Sequence, residues 1–174
     1  MRLVLTLCLL LAGHLVQAQS EYEITKDPEN KEVKVYRGTI NKYLVQNDTL
    51  FTRWYLPNYN AYSPDISVLG MFTKGKVQQL QFVVFSGTWC EDTQFILPRF
   101  FKLQELSGVP DNNITLFGVN RDKKALGHIA EAFGIVNVPT IIVMKDGKEL
   151  GRVVEYGKTG KWDNELAVIV NTNL

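Results

Sequence analysis

The stretch Leu80-Gln81-Phe82-Val83-Val84-Phe85-Ser86-Gly87-Thr88-Trp89-Cys90-Glu91-Asp92-Thr93 decides how the rest of the chain is read. Leu80 to Phe85 is apolar on both faces, the pattern of a strand buried inside a sheet. Gly87-Thr88-Trp89 reads as a surface loop. Glu91 to Leu106 then places Ile96, Phe100 and Leu103 on one stripe, which predicts a helix. Cys90 stands between strand and helix, where α/β sheets present their sites. A cysteine there faces unpaired N–H groups and the positive end of the helix dipole, and both favour thiolate over thiol. The thiolate is the nucleophile in disulfide exchange. The competing reading is a buried, inert cysteine, but the flanking loop and Glu91-Asp92 argue for the surface. Those two acids favour a helix start by about 0.3–1 kcal/mol each, while their charge opposes a neighbouring thiolate.

Working outward, the chain alternates. Ser63-Pro64 starts a helix that runs to about Thr73 and stops at Gly75. Ile114 to Val119 is a second strand. Lys123 to Phe133 is a helix with Leu126, Ile129, Ala130 and Phe133 on its core face, and His128 beside them reads as a partly exposed surface residue. Thr140 to Met144 is a third strand. Lys145-Asp146-Gly147-Lys148 is a hairpin turn, and Leu150 to Glu155 returns beside the third strand. Asp163 caps a last helix reaching about Val170. The order α-β-α-β-α-β-β-α specifies an α/β sandwich with a mixed sheet. Upstream, residues 19–31 read as a loose polar terminus. Glu32 to Thr52, with a turn at Asn47-Asp48, reads as a pair of short strands added to an edge or packed alongside. Residues 56–64 read as a connector.

The composition excludes several classes. Nineteen Lys and Arg against eighteen Asp and Glu give a net charge of +1 in 174 residues. No field is available to hold nucleic acid or an anionic membrane. Arg2, the apolar run Leu3 to Ala12 and Val16-Gln17-Ala18 have the layout of a secretory signal peptide. The run is too short for a membrane anchor, which needs about 20 residues. A lipoprotein reading at Cys8 is disfavoured by the large Leu7. Cleavage after Ala18 leaves one cysteine, Cys90, one histidine, His128, and a net charge of zero. A Cys/His zinc site and an internal disulfide are then excluded. Asn47-Asp48-Thr49 and Asn113-Ile114-Thr115 match the glycosylation pattern, which matters only in a eukaryotic secretory path.

Trp89-Cys90-Glu91-Asp92-Thr93 resembles the thioredoxin active-site loop, Trp-Cys-x-x-Cys, with Thr93 in place of the second cysteine. Pro98, five residues after Thr93, matches a family proline. So do Phe133-Gly134-Ile135 before Val138-Pro139-Thr140, the turn at Asp146-Gly147, and Gly157. The resemblance covers about residues 64–172 and is closest to exported thioredoxin-like proteins of Bacteroidetes-type bacteria. It implies a three-layer α/β/α sandwich over 63–174, preceded by a strand-rich extension over 19–62. It implies that Cys90 is the attacking thiol and Trp89 a flat wall beside it. A cis Pro139 turns Val138 toward Cys90, offering a backbone edge to an extended client. Pro98 kinks the helix after Cys90.

Two departures are informative. Thr93 cannot resolve a mixed disulfide, although its hydroxyl can donate to the thiolate. Val84 stands where dithiol members often carry a buried aspartate for proton transfer. The favoured reading is thiol–disulfide exchange by one cysteine, without cofactor or metal. Its partners are a protein disulfide or thiol client and an external resolving thiol, and the protein is expected to be a periplasmic or secreted monomer. The alternatives are a redox-inactive binding module, whose groove between Trp89 and Pro139 holds a client, and a single-cysteine redox sensor.

Overall fold

Period-two alternation in the central strands sorts their side chains onto two faces. In β3 (Gln81–Ser86), Phe82 and Val84 enter one core while Val83 and Phe85 enter another. β5 (Thr140–Lys145) does the same, with Ile141 and Val143 against Ile142 and Met144. The computed structural model describes residues 21–77 and 80–172; the segment read as a signal peptide, with Cys8, lies outside them.

Six strands form one mixed sheet in the order β1-β2-β4-β3-β5-β6. β1 is Tyr22–Lys26, β2 Lys34–Ile40, β4 Ile114–Gly118 and β6 Lys148–Val154. β3 and β4 run parallel, and the other neighbours run antiparallel. The larger core lies between the sheet and the helices α2 (Thr52–Ala61), α3 (Ile66–Val77), α4 (Glu91–Ser107) and α6 (Trp162–Thr172), with Trp54, Phe72, Phe100 and Leu166 among its buried side chains. The opposite face is covered by Ala125, Ile135, Val138 and the single turn α5 (Ile129–Ala132). The expected α/β sandwich with a mixed central sheet is present, and its two helical layers are unequal.

Several expectations are corrected. The early strand pair lies at 22–26 and 34–40 rather than within 32–52, so the described part of the expected loose terminus, residues 21–31, contains an edge strand. β1 is the edge strand and mostly exposed, so it lacks the apolar signal of a half-buried strand. Asn47-Asp48 follows a short helix, α1 (Lys42–Gln46), and residues 56–61 belong to α2 instead of a connector. Burial of Trp54 and Tyr55 holds that helix despite Pro57 inside it. The helix expected over 123–133 is reduced to α5 and a preceding 3-10 turn, because Gly127 and His128 have φ of 68° and 58°. His128 is consequently almost fully exposed. Asp163 lies inside the first turn of α6, and its carboxylate accepts from the Tyr62 hydroxyl at 2.9 Å.

The early strands are continuous with the rest of the sheet. β2 pairs with β4 through Gly38↔Gly118, and Tyr22 of β1 lies opposite Gly38. A Cβ on Gly118 would collide with the Tyr36 carbonyl, and one on Gly38 with the Glu21 carbonyl. Two glycines let three strands approach at this row.

Candidate functional site

Cys90 is the N-cap of α4, with φ −91° and ψ 125°, and it forms no side-chain cap. Its backbone N–H donates to Gly87 O at 2.9 Å, which closes the loop that leaves β3. The thiol is half-buried and free. Its Sγ donates to Val138 O at 3.1 Å. Val138 is buried, and the Val138–Pro139 peptide is cis. Forming the thiolate requires giving up this S–H···O bond, which leaves the Val138 carbonyl free for a partner backbone. Glu155 N–H donates to the next carbonyl, Pro139 O, at 2.7 Å and fixes the loop to the end of β6. Beside it Val136 is 72% exposed, an apolar side chain at the rim.

Thr93 is fully buried, and its hydroxyl accepts from Gly87 N–H at 3.2 Å. Among the described residues it makes no hydrogen bond to Cys90; the sulfur is held by Val138 instead. Thr93 therefore ties α4 back to the loop. Gln94 does the same on the other side, its amide donating to Thr88 O at 2.9 Å. Val84 is buried in the larger core. Pro98 lies within α4 and is buried; without an N–H it leaves one carbonyl of the preceding turn unbonded.

Trp89 is not a bare wall. Its Nε1–H donates to Val119 O at 3.0 Å. Gly87 packs against its ring, where a Cβ would come within 2.7 Å. The Arg121 guanidinium carbon lies 4.9 Å from the ring centroid, and Lys123 Nζ 5.7 Å. The ring is seated by glycine and capped by cations.

Arg121 links this loop to the N-terminal hairpin. Its Nε donates to Asp27 Oδ2 at 2.8 Å and its terminal nitrogen pairs with Glu29 at 2.8 Å. Asp27 is fully buried, and its other oxygen accepts from the N–H groups of Glu29 and Asn30, each at 2.9 Å. Burial pushes the Asp27 carboxyl up, but Arg121 and these two N–H groups outweigh it and hold it below the ordinary value. Arg121 is in turn raised, chiefly by its hydrogen bond to Asp27 and against the desolvation that opposes it, with smaller contributions from the charges of Glu29 and Cys90.

On the other side of Cys90, Tyr156 is 37% exposed and packs on Phe95 at 5.6 Å. Its hydroxyl is raised above the ordinary value by desolvation, then by the charge of Asp92 and a hydrogen bond to it. Glu91 is exposed and Asp92 half-buried. Arg121, Asp27 and Tyr156 were not identifiable as site residues from sequence. Arg121 is in a charged run, Arg121-Asp122-Lys123-Lys124, and nothing local connects it to a residue 94 positions earlier. His128 lies outside the site, 3.6 Å from Glu131. No group of three or more His, Cys, Asp or Glu that could hold a metal occurs among the described residues.

Comparison with known proteins places this geometry in context. The family model described as Thioredoxin matches residues 72–167, more than half of the chain. The thioredoxin of Mycolicibacterium smegmatis is 32% identical over 79 residues, covering 45% of this chain and 66% of its own length. That of Staphylococcus haemolyticus is 31% identical over 77 residues, covering 44% of this chain and 69% of its own. The matches thus span about two thirds of these relatives. A solved structure of a Pseudomonas aeruginosa protein of unknown function covers 71% of this chain and 83% of that one, with TM-score 0.44 and 18% identity.

Proposed function

This chain belongs to the thioredoxin family, and from that premise we propose that it carries out thiol–disulfide exchange with Cys90 as its single nucleophile. The Cys90 thiolate attacks one sulfur of a client disulfide. A mixed disulfide forms, and the other client sulfur leaves as a thiolate. An external low-molecular-weight or protein thiolate then attacks the Cys90 sulfur of that mixed disulfide, and the client leaves as a dithiol. A second external thiolate attacks the external sulfur of the resulting disulfide, frees Cys90 as a thiolate and leaves the two external thiols joined as a disulfide. The two electrons that reduce the client come from the external thiols, which end oxidised. The supporting observation is the placement of Cys90 Sγ at the start of α4, 3.1 Å from the carbonyl before Pro139, with a buried threonine at the second-thiol position. Val138 and Val136 offer a backbone edge and an apolar rim for an extended client. Lys123 and Arg121 flank Trp89, so the groove wall on that side is cationic.

The readings of export, as a periplasmic or secreted protein cleaved after Ala18, and of a monomer belong to the same proposal. The mass of the mature chain and its sedimentation test them. A second reading, a binding module without turnover, is favoured by one observation: Thr93 and Val84 are both buried and unsuited to resolving a disulfide. Reduction of a peptide–glutathione mixed disulfide with excess glutathione separates the two. Turnover by the wild type and none by Cys90→Ser is the expected outcome. Equal rates in both proteins contradict exchange, and equal peptide binding by Cys90→Ser together with no turnover supports the module.

A further inference from the structure

Asp27 is a fully buried carboxylate. It is contributed by a hairpin 94 residues from its partner and is bonded to a guanidinium that covers the tryptophan preceding Cys90. A carboxylate is rarely buried in this way unless its charge is matched. Here the match is Arg121, and the three residues Asp27, Arg121 and Trp89 form a continuous clamp from the N-terminal hairpin to the active loop. We infer that Arg121, braced by Asp27, is a positioning residue for Cys90: it holds the cationic side of the site against Trp89 and favours the thiolate that attacks the client. This inference rests on the reading of Cys90 as a nucleophile.

The charged and titratable groups around the sulfur set the expected size. Arg121 and Lys123 approach over Trp89 from the segment after β4. Glu91 and Asp92 lie in the first turn of α4, where their charge opposes a thiolate. Asp27 and Glu29 sit on two nitrogens of the Arg121 guanidinium and offset much of its charge. The net effect of Arg121 is consequently a few-fold change in the reactivity of Cys90, not orders of magnitude.

Because Asp27 has no direct contact with the sulfur, it acts through Arg121. Removing the carboxylate leaves the guanidinium held by the exposed Glu29 at one nitrogen, so its place over the ring is less fixed. Once Arg121 is gone, removing Asp27 as well has nothing further to change at Cys90.

The test is the rate of Cys90 alkylation by iodoacetamide from pH 5 to 9, on the full chain, read by mass on the peptide that contains Cys90 so that Cys8 does not contribute, with thermal melts as the folding control. Arg121→Gln is expected to slow alkylation at pH 7 by about threefold and move the profile to higher pH. Arg121→Lys keeps the charge and is expected to recover at least half of that loss. Asp27→Asn is expected to slow the wild-type thiol and to have no further effect in the Arg121→Gln background. If Arg121→Gln melts lower yet alkylates with an unchanged profile, the clamp is only structural and the inference is overturned. An Arg121→Lys variant as slow as Arg121→Gln overturns it equally. Alkylation needs no turnover, so a wild type that fails to reduce mixed disulfides defeats the exchange reading while these comparisons still decide the role of Arg121.

Discussion

At the scale of single residues, the site contains one thiol where its relatives in pattern have two. Thr93 is close enough in sequence to Cys90 that one substitution tests the consequence. Thr93→Cys creates the Cys-x-x-Cys spacing at the start of α4. It removes an oxygen that accepts the Gly87 N–H, at a cost of about 1 kcal/mol. Mild oxidation of the Thr93→Cys protein should then remove both thiols from titration with a chromogenic disulfide. Two titratable thiols after oxidation would mean that the loop cannot bring the sulfurs together. Cys90, Thr93 and Pro98 were legible in the sequence because strand, loop and helix follow one another locally and fix their spacing. Trp89 was legible in position but not in surroundings. Its partners Arg121 and Lys123 are charged side chains of ordinary spacing, and only the fold brings them over its ring.

The elements differ in how plainly they were written. β3, α4, β5 and β6 carry strong periodicity or a turn of fixed chemistry, Asp146-Gly147, and they occur where the pattern puts them. β1 is an exposed edge, α2 contains Pro57 and two asparagines, and the segment before α5 is broken by positive φ at Gly127 and His128. In each case burial or backbone geometry prevailed over local propensity. Glycines test the elements directly. Gly118→Ala forces a Cβ against the Tyr36 carbonyl where β2 joins β4, and urea denaturation should show a loss of about 2–3 kcal/mol. Gly70→Ala lies in α3 with nothing within 4 Å of the added carbon. It should gain roughly 0.5–1 kcal/mol by helix propensity. A Gly118→Ala protein as stable as the wild type would remove the argument for a close β2–β4 approach.

At the scale of the whole molecule, the N-terminal segment is part of the sheet and, through Asp27, part of the wall around Cys90. Its charge makes this visible in acid. Asp27 has a folded-state value depressed below the unfolded one, so its contribution is fully present above the unfolded value of about 4 and disappears as pH falls through the folded one. Asp48, which burial raises but Lys34 and other hydrogen bonds lower further, loses its contribution in the same window. Asp27→Asn should therefore cost stability at pH 7, and the gap from the wild type should narrow at pH 3. Equal gaps at both values, measured by urea midpoints, would show that the Asp27 charge does not hold the hairpin. Nothing in the sequence pointed to this arrangement, because residues 19–31 are polar and carry no pattern that identifies a buried carboxylate.

The most direct measurement of single-thiol exchange is multiple-turnover reduction of a peptide–glutathione mixed disulfide, with glutathione varied from none to excess. One reduced peptide per Cys90 without added thiol, sustained turnover with it, and neither in Cys90→Ser is the expected result. Sustained turnover by Cys90→Ser, or no reaction of the wild type at any glutathione concentration, would contradict it.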